Sequence, residues 1–255
     1  MPIPPPFLPA TTIDEVIDRL DVVIDRSRRE NDRCGFFACL YRSVTARVRD
    51  GIAANRFQDG ARMARLDVVF ANRYLEAEEA FRAGRPLTRS WEVAFTSSRQ
   101  SNLLILQHLL LGMNAHINLD LGIAAAMAAP GNGITTLRAD FFEITRLLGE
   151  MLDEVQDKIN AMSPWMRVVD VLGHRNDESA FGFALGGTRE LAWRSAARLA
   201  ALPAERHAEE IGRMDHTVAM LAGPLRSPGR LLAPALMLVR LREPSEVVAV
   251  LDGLS

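Results

Sequence analysis

The chain has 255 residues, 48% of them hydrophobic, and a formal net charge of −2. That length carries one sizeable core without requiring a second domain, and the near-neutral charge makes no electrostatic case for a nucleic acid or an anionic membrane as partner. The two cysteines, Cys34 and Cys39, lie five apart in one expected helix, a poor geometry for a mutual bridge, so both are expected as buried reduced thiols of a cytoplasmic protein.

The first stretch, MPIPPPFLPA, has neither a basic nor an apolar signal region and is expected to be an extended arm over residues 1–11, followed by a single domain over 12–255. Thr12 and Glu15 form a capping-box pattern, and Ile13, Val16, Ile17, Leu20 and Ile24 then recur at helical spacing to about Arg29. A second amphipathic helix starts near Gly35 with Phe37, Leu40, Tyr41, Val44 and Val48 inward. Asp59 is the expected N-cap of a third, Ala61 to about Arg82, with Met63, Phe70, Tyr74 and Phe81 on one stripe and Asp67 at its edge. A short helix carrying Trp91 and Phe95 follows.

The stretch Gln100 to Ala129 has no Lys, Arg or Pro, and Asp120 is its only charge, so it reads as a central helix surrounded by protein. Neither Leu103–Leu111 nor Leu231–Val239 is a convincing membrane span. Pro130-Gly131-Asn132-Gly133 breaks the chain, and Thr136 to about Met162 resumes as a helix with Asp140 in its apolar stripe. A short helix from Pro164, a loop over Gly173–Asp177, a helix from Glu178 to Leu202 and one from Pro203 to Ala222, ended by Gly223-Pro224, are expected next. Ser227-Pro228-Gly229 precedes a last apolar helix, and a tail helix follows Pro244. No segment alternates with period two, which predicts an all-α bundle of eight to ten helices.

Within the central helix His116 and Asp120 are an i,i+4 pair, with Gly112 and His108 successive turns below. Gln107, Asn114 and Asn118 form a second polar seam well over about 100° away from Asp120. A carboxylate beside an imidazole can fix its tautomer and raise its basicity, so His116 is the expected acid or base and Asp120 its orienter. Asp67, Tyr74, His108, Asn114, Asn118 and Asp140 are the expected lining groups of a largely apolar small-molecule site, with no cofactor required. The alternatives are one divalent ion held by His116, Asp120 and Asp140, or a non-catalytic scaffold whose polar seams are packing and whose apolar surface near Leu231–Leu241 takes a partner, a second copy among them. For Asn114 and Asn118 a structural role is the stronger expectation. Asp67 and Asp140 are expected to pair with Arg62, Arg73 or Arg99, and Trp91, Trp165 and Trp193 to pack the core. His174 to Asp177 is read as a capped loop, and His207, Asp215 and His216 as exposed.

The block Asn114-Ala115-His116-Ile117-Asn118-Leu119-Asp120-Leu121, preceded by His108-Leu109-Leu110-Leu111-Gly112-Met113, resembles a bacterial family catalogued only as a domain of unknown function. Trp91-Glu92-Val93-Ala94, the set Arg62, Asp67, Phe70 and Tyr74, and Arg189-Glu190-Leu191-Ala192-Trp193 extend the likeness over roughly Gly60 to Trp193. The resemblance implies an all-α protein and brings no activity with it. His108, Gly112, His116 and Asp120 are also similar to the His- and Asp-rich helices of all-α zinc-dependent phospholipases and nucleases, although the ligand spacing of those proteins is not reproduced.

Overall fold

The computed structural model describes residues 7–163, 179–227 and 233–254. Its elements are α1 (Ile13–Glu30), α2 (Cys34–Ala53), α3 (Gly60–Arg82), α4 (Arg89–Ser98), α5 (Ile105–Ala115), a π-helical turn (His116–Asp120), α6 (Leu121–Ala128), α7 (Ile134–Met162), α8 (Ser179–Ala201), α9 (His207–Arg226), α10 (Ala233–Arg240) and α11 (Val247–Leu254), with no strand among the described residues. The expected helix at Pro164 with Trp165, the loop from His174 to Asp177 and the break at Pro228-Gly229 lie outside the described residues.

Local chemistry starts the bundle where the sequence says it should. The Thr12 hydroxyl accepts from the Glu15 N–H at 3.1 Å, and Asn31, at φ 54°, ends α1 in the left-handed region. Residues 7–12 lie against α3, where Asn72 accepts from the Ala10 N–H at 2.7 Å and donates to its carbonyl at 2.9 Å.

The α5–π–α6 rod runs through the middle and touches α2, α3, α4, α8 and α9. One core joins the inner faces of α1 to α5 with α11, and a second joins α3, α6, α7 and α8. Gly122 permits the α6–α8 approach, since a Cβ there would stand 3.1 Å from the Ala192 carbonyl oxygen. Ile105–Ala128 is long and apolar enough to cross a membrane by length and composition, and 83% of its most apolar window is buried inside the bundle.

Two boundaries differ from expectation. The central helix begins at Ile105 rather than Gln100 because its cap comes from elsewhere: Glu243 accepts from the Ile105 N–H at 3.1 Å, and Gln107 accepts from the Leu104 N–H at 3.0 Å. Beside this cap, α9 passes through Pro224 to Arg226. The Gln107 carboxamide donates to the Leu225 and Arg226 carbonyls, satisfying the last turn that the proline was expected to cut off.

Candidate functional site

The π-helical turn coincides with the His116–Asp120 pair, and its closing hydrogen bond runs from the Leu121 N–H to the His116 carbonyl. Single π-turns of this kind often mark functional sites. The wider turn sets His116 Nδ1 3.2 Å from Asp120 Oδ2, with the two residues 2% and 0% exposed.

Asp120 is held by three donors. Arg73 Nε donates to Oδ1 at 2.7 Å, and the Trp91 indole N–H donates to Oδ2 at 2.8 Å beside His116. Burial by itself would raise this carboxyl, yet the Arg73 charge and the hydrogen bonds from His116 and Arg73 hold it below the usual carboxylate range. Burial lowers His116 despite its Asp120 bond, so the imidazole is neutral at physiological pH. With Asp120 ionised, the proton belongs on Nδ1 and Nε2 is the free base.

Aromatic rings wall the imidazole. Phe70 stacks on it with centroids 3.6 Å apart and planes 8° apart, and Tyr41 meets it edge-on at 4.4 Å. Phe37, Trp91 and Tyr74 complete the wall between 5.6 and 6.1 Å. Gly112 makes room for it, since a Cβ there would lie 2.6 Å from the Phe37 ring. Inside this wall His116 Nε2 is buried without a hydrogen-bond partner, as are the Tyr74 hydroxyl and Asp67 Oδ2 on α3, while the buried Tyr41 hydroxyl has Thr45 beside it. Asp67 is near enough to Tyr41 to help raise its phenol, after burial.

Asp67 departs from the expected pairing. Arg73 is on Asp120, Arg62 is on Asp140, and Arg99 stacks over Phe81 at 4.9 Å, leaving none of the three for it. Burial pushes the Asp67 carboxyl up to about 7. Asp140 does pair with an arginine but does not line this site. Its oxygens accept from the Gln58 and Asp59 N–H groups at 2.7 and 3.1 Å and from Arg62 at 2.8 Å, which ties α7 to the start of α3. The set His116, Asp120 and Asp140 therefore does not converge, and no three His, Cys, Asp or Glu side chains among the described residues are grouped to hold an ion.

Asn114 and Asn118 face away from His116, toward α9. Asn114 donates to the Val218 carbonyl at 3.0 Å and accepts from Asn118 at 2.8 Å. His108 belongs to a separate neck lined by Cys34, Phe37, Trp91 and Gly112. Asp215, expected on the surface, is buried and caps α4 through the Arg89 and Ser90 N–H groups.

Of the expected lining groups the structure thus puts Tyr74 in the wall of His116 and Asp67 beside the wall residue Tyr41, and separates Asp140, Asn114, Asn118 and His108. Sequence reasoning missed Tyr41, Phe37, Phe70 and the two Asp120 donors as site residues. The rings had a signal in the i,i+4 pairs Phe37–Tyr41 and Phe70–Tyr74, which put four rings on the facing sides of α2 and α3; the donors Arg73 and Trp91 had none.

The family model described as Family of unknown function (DUF5995) matches residues 13–228. The chain belongs to this family. No curated protein and no solved structure matches the chain. The DUF5995 span bears out the resemblance carried by the Asn114–Leu121 block, and it contains every residue of the His116 cluster.

Proposed function

We propose that the protein is a small-molecule enzyme of the hydrolase, isomerase or cyclase type in which His116 Nε2 is the proton acceptor. Asp120 holds the Nδ1–H tautomer, Arg73 and Trp91 hold Asp120, and Asp67, protonated below about pH 7, is a proton donor in the same apolar surroundings. The observation that carries this reading is the buried, unpartnered His116 Nε2, with Asp67 Oδ2 and the Tyr74 hydroxyl also buried and unpartnered on the neighbouring α3. Buried polar atoms are ordinarily satisfied, so a neutral, unpartnered imidazole nitrogen in an apolar wall suits a site for a polar reacting group within an apolar substrate. The substrate reaches His116 by displacing ring side chains, since the imidazole is walled on several sides.

A second reading has its own observation: Asp120 is fully engaged by protein donors, as in a network that only locks packing. One experiment separates them. Wild-type protein and His116→Gln are incubated with a bacterial metabolite extract, and consumption is followed by mass spectrometry beside each protein's thermal stability. A metabolite consumed by wild type and roughly 10²–10⁴-fold more slowly by a folded His116→Gln supports the enzyme. Equal extracts with a destabilised variant support the packing network.

A further inference from the structure

A cleft of about 510 Å³ opens between the α1–α2 turn and the ends of α3 and α4, lined by Arg33, Phe81, Arg82, Ser98 and Arg99 with the acids Glu30 and Asp32. At Arg33 and Ser98 it meets the narrow neck toward Phe37, Trp91, His108 and Gly112, a cavity of only about 20 Å³. Phe37 and Trp91 are also two walls of the His116 box, so the neck abuts the outer side of that wall. The volume suits a small molecule.

The cleft's charges are unevenly matched. Glu30 takes both outer nitrogens of Arg82, at 2.8 and 3.1 Å, and Asp32 accepts from the Cys34 N–H at 3.0 Å. Arg33 and Arg99 have no carboxylate within ion-pair distance among the described residues. The Arg99 guanidinium is held over the Phe81 ring, which fixes its position at the cleft wall. Arg33 is lowered by burial and by the charge of Arg240, against a smaller pull from Asp32, so an anion here would relieve an existing repulsion.

The neck carries an independent signal. His108 is 7% exposed, and its Nε2 has no partner. Burial first, then the charges of Arg33 and Arg240, push it down to about 3, and the ring's other nitrogen bonds the Gln100 backbone. His108 is therefore neutral, with Nε2 an acceptor for a hydroxyl or N–H.

We propose that this cleft binds the oxyanion head, carboxylate or phosphate, of an amphipathic small molecule, with Arg33 and Arg99 on the head and the apolar tail directed at the neck beside His108, which the tail must open. The tail's destination rests on the reading of His116 as the reacting group; the head site does not. A hydroxyl on the tail near the head would find His108 Nε2 as its acceptor, which makes a hydroxylated acid the best fit.

Calorimetric titration with octanoate, octyl phosphate, 3-hydroxyoctanoate and octanol tests this on the full chain. At least one of the anions binds at least tenfold tighter than octanol, and octanoate against octyl phosphate tells carboxylate from phosphate. Arg33→Gln/Arg99→Gln weakens anion binding at least tenfold at unchanged melting temperature, and His108→Leu removes the advantage of 3-hydroxyoctanoate over octanoate. Octanol binding as tightly as the anions, no anion binding at 10 mM, or binding indifferent to the arginine pair overturns the proposal. His116→Gln keeps the two hypotheses apart: retained anion binding with no reaction by either protein leaves the head site standing where the enzyme reading fails.

Discussion

The two polar seams of the central rod face opposite neighbours and are satisfied in opposite ways. On the α9 side, Gln107 and Asn114 place their donors on carbonyls of that helix, Asn118 bonds Asn114, and Asn118 Oδ1 is the atom left over. On the α2–α3 side, Asp120 is engaged three times while His116 Nε2, Asp67 Oδ2 and Tyr74 Oη are buried and unpartnered. The first seam is the expected use of carboxamides in a helix interface. The second keeps groups in a costly state beside a neutral histidine, and such departures from satisfaction concentrate at functional sites.

The largest way to break the contrast is Asp120→Ala. It strands the Arg73 guanidinium and leaves the Trp91 and His116 donors without their acceptor, and denaturant unfolding should register a loss of about 3–5 kcal/mol. An effect below about 1 kcal/mol would mean that the pair is not held as described.

Asp67 sharpens the comparison through pH. Burial puts its folded carboxyl at about 7 against 3.8 for an exposed aspartate, so between those values the folded state holds a proton that the unfolded state has released. Stability therefore falls as pH rises through this window, by up to about 1.4 kcal/mol per pH unit, and levels off above about 7. The buried histidines act in the opposite sense, since their lowered values favour the folded state as pH rises toward 6.5. The difference between wild type and Asp67→Asn isolates the carboxyl: the variant's relative stability should grow from pH 4 to 7. A flat difference would mean that Asp67 has a cationic partner in solution.

Smaller effects follow on each side of the rod. Gly112→Ala drives a Cβ into the Phe37 ring and should cost about 1–3 kcal/mol, with a change in the His116 ring resonances because Phe37 is one of its walls. Asn114→Ala should cost about 1 kcal/mol in unfolding and leave those resonances unmoved, since its bonds run to α9 and Asn118.

The legible part of the site was its local part. His116 and Asp120 share one helix at i,i+4, and their hydrogen bond follows from that spacing with only a π-turn added. Tyr74 and Asp67 were recognisable as inward groups on α3. Asp140 shows the limit: an acid in an apolar stripe signals a buried partner, but its partners are the N–H groups and the arginine at the start of α3. Asp215 shows the converse, an acid that looked exposed and is buried as the cap of α4.

By itself, the sequence determined the all-α class, the helical faces that go inward, the burial of the central rod and the pairing within it. These depend on 3.6-residue periodicity, capping chemistry and the near absence of charge, all written within a few turns of chain. Only the tertiary structure decided which arginine meets which acid, that Asp67 meets none, and that the Ile105 N–H is capped by Glu243, 138 residues away. Periodicity states that a face is buried; the neighbour it is buried against is chosen by the packing of the whole bundle, and the charges and unpartnered atoms of the site follow from that choice.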